Sequence, residues 1–300
     1  MIVRESSVPV DGGRLHVRET GSGQPVVLVH GGPDFDDEYL HPEMGRLGDR
    51  FRVITYAQRG RGRSFDGSDP GRVTMASEVE DLDRVRSSAG LASTAVVGHS
   101  WGGLLALEYA LAHPDRVSHL VQMNTAPVSH EDAKAFRLEL GRQRTGEQIR
   151  RMAELRASPA FRAGDIATDA EYYRLHFATT VRDPALLDIV VRRLRATFSP
   201  QGVVAARVIE EQLYADTWSR PDYDLVPLLG DLDVPVLVLH GDDDFVPLAV
   251  VRRIVDAIPH ARLAVLPGGH FTYIEQPDRV LDEIADFLTL GRPAREPYPS

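Results

Sequence analysis

Apolar positions fall into two kinds of run. Short apolar-rich stretches at 25–30, 51–56, 94–97, 117–123, 236–239 and 262–266 carry few charges. Val26-Val27-Leu28-Val29 and Val236-Leu237-Val238-Leu239 are unbroken, as expected of parallel strands covered on both faces. Residues 15–19 instead alternate apolar and polar; with 2–9 and the turn Asp11-Gly12-Gly13 they predict a β-hairpin. Helical spacing appears at 73–89, where Val79, Leu82 and Val85 recur three apart, and at 278–288. At 102–112 the small residues Gly103, Ala106 and Ala110 would let a helix sit close to a sheet. Strands alternating with helices predict an α/β fold, a mostly parallel central sheet flanked by helices. Residues 127–230 break the rhythm with a charged, helix-patterned block lacking a clear buried strand. The expected division is a core of 1–126 and 231–291, an inserted helical cap of 127–230 and a tail of 292–300.

The junction between one strand and its helix reads Gly98-His99-Ser100-Trp101-Gly102-Gly103. A serine exposed at the top of a sheet needs a sharp strand-to-helix turn, and glycines at 98 and 102 remove side chains where backbones approach. The helix beginning after Ser100 aims free N–H groups and its positive dipole end at charge developing beside the hydroxyl. This predicts a nucleophile elbow, with the N–H of Trp101 as one oxyanion donor. A second donor is expected from Gly32, in the His30-Gly31-Gly32-Pro33 turn after another buried strand.

Other polar clusters are less specific. Asp34, Asp36, Asp37 and Glu38 suit the solvated start of a helix reaching about residue 47, and their position beside the glycine turn also allows contact with a cationic substrate group. Arg59, Arg61 and Arg63 sit in a glycine-shaped loop without interleaved aromatics, which argues against a nucleic-acid patch. His240-Gly241-Asp242-Asp243-Asp244 ends one strand and Gly268-Gly269-His270 the next. Hard-cation loops space their ligands at alternating positions with further oxygens. One of the three adjacent aspartates is therefore read as the acid of a triad in the chain order Ser, Asp, His, and no metal is expected. In the insertion, Phe136, Tyr172, Phe177, Tyr214 and Trp218 are candidates for an apolar wall, with Glu210 and Glu211 as polar readers.

Composition narrows the partners. With 34 basic against 44 acidic residues the formal charge is −10, which disfavours nucleic acid and anionic membranes. Cysteine is absent, excluding disulfides and thiolate metal sites. The first residues show no apolar signal core and no run has the length of a membrane span, so the expected setting is cytoplasmic.

These motifs together resemble the α/β-hydrolases, and among them the proline iminopeptidase branch: His30-Gly31-Gly32-Pro33, Gln58-Arg59-Gly60-x-Gly62-x-Ser64, Gly98-x-Ser100-Trp101-Gly102-Gly103 and Ala106-Leu107-x-Tyr109-Ala110 with His113-Pro114. The resemblance implies Ser100 as nucleophile, His270 as base, Asp244 as its orienting acid, and Gly32 and Trp101 as oxyanion donors. It implies no cofactor. The chain departs from that branch at Asp34, where glycine is usual, and at Ala57, where aspartate is usual. The expected substrate is a small molecule or short peptide, with Asp34, Glu210, Glu211, Tyr214 and Trp218 as contacts. Three readings remain: an aminopeptidase or amidase acting on small N-terminal residues, an esterase or lactonase acting on uncharged acyl groups, and a non-catalytic binder. An intact triad disfavours the third.

Overall fold

The computed structural model describes residues 2–289; the expected tail lies outside them. The hairpin forms as β1 (Val3–Val10) and β2 (Gly13–Gly21), followed by β3 (Pro25–Val29), β4 (Arg52–Tyr56), β5 (Thr94–His99), β6 (Val117–Met123), β7 (Val236–Gly241) and β8 (Ala261–Leu266). They make one eight-stranded sheet in the order β1-β2-β4-β3-β5-β6-β7-β8. β1 and β2 pair antiparallel, as do β2 and β4, and every later pairing is parallel. Val27 of β3 sits between Ile54 and Val96, and all three are buried, because helices cover both faces of the central strands.

Helices α1 (Met75–Ser88) and α2 (Trp101–Ala112) flank β5 in sequence. Between β6 and β7 come α3 (His130–Gln143), α4 (Gly146–Ala157), α5 (Pro159–Arg162), α6 (Ile166–His176), α7 (Pro184–Leu194) and α8 (Pro200–Asp216). The chain closes with α9 (Leu248–Ala257), α10 (Thr272–Glu275) and α11 (Pro277–Thr289). Two elements differ from the sequence expectation. The helix expected to reach about residue 47 is two 3₁₀ turns, Asp37–Leu40 and Met44–Asp49, with Pro42, which has no N–H to donate, between them. Helix α9 has no counterpart in the sequence reading, although Val250, Val251, Ile254 and Val255 form a buried stripe with helical spacing.

The arginine loop after β4 serves the core. Arg61 is fully buried: its Nη1 donates to Glu78 of α1 (2.7 Å) and to the Arg59 carbonyl (2.8 Å), and its Nε to the Pro33 carbonyl (2.8 Å). Arg59 pairs with Asp81 one turn along α1. Burial pushes the Glu78 carboxyl up, with the Arg61 charge opposing it. Arg61→Met leaves that carboxylate unpaired and should cost about 3–5 kcal/mol of unfolding free energy. In urea titrations the double variant Arg61→Met/Glu78→Leu should recover part of the loss.

Candidate active site

Ser100 lies between β5 and α2 with φ 54° and ψ −121°, a conformation that costs a non-glycine residue about 1–3 kcal/mol unless its surroundings impose it. They do so from the end of β6 and the loop after it: the Ser100 N–H donates to Met123 O (2.9 Å), and the Ala126 N–H to Ser100 O (3.0 Å). A Cβ at Gly102 would collide with the carbonyls of Val29 and His30, so glycine lets the start of α2 lie against the end of β3. The same approach brings the elbow beside the Gly31-Gly32 turn.

Ser100 Oγ is 2.9 Å from His270 Nε2, and His270 Nδ1 is 3.1 and 3.3 Å from the Asp244 oxygens. Of the three adjacent aspartates only Asp244 faces the imidazole; Asp242 and Asp243 are exposed beside Arg182. Burial alone would raise the Asp244 carboxyl, but the charges of His270 and His240, with hydrogen bonds from His270 and the Val246 N–H, hold it below the usual carboxylate range. Asn124, just past β6 at φ 46°, donates to Asp244 Oδ2 (2.7 Å), to Gly269 O (3.0 Å) and to Thr272 Oγ1 (3.1 Å). It ties the acid to the histidine loop, and no sequence motif marked it. The backbone N–H of His270 donates to Thr180 O (2.9 Å) in the α6–α7 connection.

A second hydrogen-bond chain crosses under the site. His99 is buried, and burial first, then the neighbouring His270, lowers its pKa to about 3, so the ring is neutral. Its Nε2 faces the His270 carbonyl (2.9 Å), which can only accept, and its Nδ1 therefore accepts from Tyr39 O–H (2.7 Å). Tyr39 in turn accepts from the Gly31 N–H (2.7 Å). One proton arrangement satisfies all three bonds, and it links the glycine turn, the elbow and the histidine loop. Gly32, at φ 131°, holds a conformation open to glycine; with a Cβ it would strike the Asp34 and Phe35 amides. Both Gly32 and Trp101 line the cavity above Ser100, and their N–H groups have no acceptor among the described residues.

That cavity measures about 310 Å³ and lies between the strand ends and helices α3–α6 and α8. Phe136, Tyr172, Phe177, Tyr214 and Trp218 all line it. Tyr214 stacks on Trp218 (5.1 Å between ring centres), and both pack against Trp101. Phe245, outside the sequence candidates, packs 4.2 Å from the His270 ring. His176 also faces the space: Arg144 donates to its Nδ1 (2.8 Å), and burial, then that guanidinium, lowers its pKa to about 3, leaving Nε2–H as a fixed donor.

The acidic candidates separate. Asp36, Asp37 and Glu38 are absent from the lining and bond to Thr197, to Thr55 and to Arg18 respectively. Asp34 does line the cavity, with Arg195 and Tyr173 engaging its Oδ2, so this carboxylate already has a cation beside it. Its nearest full charge is the Arg195 guanidinium. Glu211 is exposed at the edge. Glu210 is different: its hydrogen bond comes from Tyr214 O–H (2.9 Å), and burial first, then the charge on Asp34, raises its pKa to about 8. Among the described residues no cluster of His, Asp and Glu has the makings of a metal site, and no helix is long and apolar enough to cross a membrane.

A family model described as the alpha/beta hydrolase fold matches residues 24–277, and the chain belongs to that family. It is a hydrolase of that fold, with proline iminopeptidase-like relatives. A protein proposed to be the carbamate hydrolase RutD, from Caulobacter vibrioides, is 31% identical over 93% of this chain and 96% of its own length. The proline iminopeptidase of Lactobacillus delbrueckii subsp. lactis is 27% identical over 96% of this chain and 99% of its own. The solved proline iminopeptidase of Mycobacterium smegmatis superposes with a TM-score of 0.73 at 25% identity, over 96% of this chain and 98% of that one.

Because only Asp244 touches His270, Asp244→Asn should lower kcat for p-nitrophenyl ester hydrolysis by about 10⁴, the cost of losing a triad acid. Asp242→Asn and Asp243→Asn should keep most of the activity. A larger loss in Asp243→Asn than in Asp244→Asn would contradict the geometry.

Proposed function

We propose that the chain is a serine hydrolase working through an acyl-enzyme, and that its substrates are small amides or peptides with a free N-terminal amine. The observation supporting the reaction is the continuous line from Ser100 Oγ through His270 to Asp244. Ser100 attacks the carbonyl carbon as its proton passes to His270 Nε2, and the ionised Asp244 stabilises the imidazolium. The tetrahedral oxygen takes the N–H groups of Gly32 and Trp101. His270 then returns the proton to the leaving nitrogen or oxygen, and water repeats the sequence to release the acid. These steps draw on no cofactor.

The observation supporting the amine is Glu210, a carboxyl facing the cavity among Tyr214, Tyr172 and Tyr173 with no cation among the described residues within ion-pair distance. An incoming ammonium would supply that charge and relieve the repulsion from Asp34. A second reading, an esterase or lactonase acting on an uncharged acyl group, is favoured by the same residue in its protonated form, which leaves the stretch of wall formed by Glu210, Tyr172, Tyr173 and Tyr214 without charge.

Two experiments test these readings. A fluorophosphonate should label Ser100 covalently, and Ser100→Ala should lose labelling together with about 10⁶ in kcat; wild-type turnover in that variant would end the mechanism. A panel of aminoacyl arylamides, their N-acetyl forms and p-nitrophenyl esters addresses the substrate. Acetylation removes the ion pair and should lower kcat/KM by about 30-fold or more. Below about pH 8 the Glu210 carboxyl of the free enzyme is protonated and lacks the charge that attracts an ammonium. The kcat/KM for free-amine substrates should therefore climb towards pH 8 more steeply than that for esters, and Glu210→Gln should erase the difference. Equal turnover of acetylated and free substrates would favour the esterase reading.

A further inference from the structure

Asp34 stands two residues after Gly32 and is held by an unusual concentration of charge. Arg195, at the C-terminal end of α7 and only 3% exposed, donates to both the carboxylate and the main-chain carbonyl of Asp34. Its Nε donates to Asp169 of α6 (2.7 Å), whose other oxygen takes Arg207 of α8. Two carboxylates and two guanidiniums thus form a neutral cluster joining three inserted helices to the turn beside the nucleophile. The guanidinium is further clamped over the rings of Phe198 (4.8 Å), Tyr173 (5.1 Å) and Phe35 (5.2 Å). The neighbours repeat the direction: Arg193 reaches Glu43 (2.7 Å) and Thr197 reaches Asp36. Residues 193, 195 and 197 therefore each bond to the segment 34–43. A buried ion cluster adds little net stability compared with apolar side chains filling the same space, so what this one supplies is geometry.

We propose that Arg195 is a positioning residue for the oxyanion turn: by holding Asp34 at two atoms it sets the path of residues 31–34 and so aims the Gly32 N–H. Through Asp169 it makes that aim depend on the seating of the inserted helices, so the upper wall of the cavity and the oxyanion hole form as one unit. The proposal rests on the reading of Gly32 as an oxyanion donor in a serine hydrolase. Lysine cannot replace the arginine, because a single ammonium lacks the planar fork that spans the Asp34 carboxylate, the Asp34 carbonyl and Asp169 together.

The test compares wild type with Arg195→Lys, Arg195→Met, Asp34→Asn and the double variant Asp34→Asn/Arg195→Met. Each is assayed for p-nitrophenyl ester turnover, melting temperature and inhibition by an alkyl trifluoromethyl ketone, whose serine adduct carries an oxyanion. Misplacing one oxyanion donor should lower kcat by about ten- to hundredfold with KM moving less than about threefold. The trifluoromethyl ketone should lose affinity by the same factor as kcat. The double variant should be no worse than the poorer single one, since both changes break one link. If Arg195→Met does not fold, Arg195→Lys and Asp34→Asn carry the comparison. An unchanged ketone affinity beside a lowered melting temperature, or losses that multiply in the double variant, would overturn the positioning role. Failure of wild type to react with a fluorophosphonate would instead remove the serine-hydrolase reading on which it stands.

Discussion

The backbone at Ser100 is the constraint on which the rest of the site depends. Its strained turn exists because β6 and the loop after it hold it by two main-chain hydrogen bonds and because Gly102 allows α2 to begin in contact with the end of β3. Central strands packed on both sides make that position rigid. Once the elbow is so placed, the first N–H of α2 and the Gly31-Gly32 turn must flank the serine hydroxyl. The turns after β7 and β8 then come together on the other side, bringing Asp244 and His270 within hydrogen-bond reach. The Tyr39–His99 chain runs beneath all of this and leaves no buried polar group in it free to rearrange.

Burial gives the charged residues around the cavity different fates. Asp34 is paired with Arg195, and Asp169 with both Arg195 and Arg207, since a buried carboxylate without a cation would be costly. Glu210 has no such partner and holds its proton instead. A fixed ion cluster on one side of the cavity and a titratable carboxyl on the other follow from the same desolvation cost, met once by pairing and once by neutralisation.

How much was legible in the residues depended on the range of the interactions involved. The elbow and the glycine turn could be read directly, because their glycines answer contacts made within a few residues or at a strand end. The aromatic wall was legible as a set of apolar positions in the insertion. Nothing local separates Asp36, Asp37 and Glu38 from Asp34; at the start of the 3₁₀ turn their side chains leave the backbone in different directions and reach Thr197, Thr55 and Arg18. Asn124, Phe245 and His176 carried no signature, since each acts only through residues far away in the chain. Helix α9 does leave a trace in the sequence, the helical spacing of Val250, Val251, Ile254 and Val255.

The sequence by itself therefore determined the strands of the sheet, most of the helices between them and the residues able to supply a serine, a histidine and an acid, because these rest on periodicity and on steric needs local to the chain. The tertiary structure seated Asp244, the acid that the family resemblance implied, against His270, and only it decided which carboxyl in the cavity lacks a cation and which arginine clasps the turn at Gly32. Those outcomes turn on the pairing of charges 26 to 161 positions apart in the chain. Such charges meet through the packing of helices and strand ends, and the electrostatic cost of burial, which no local pattern encodes, selects among them.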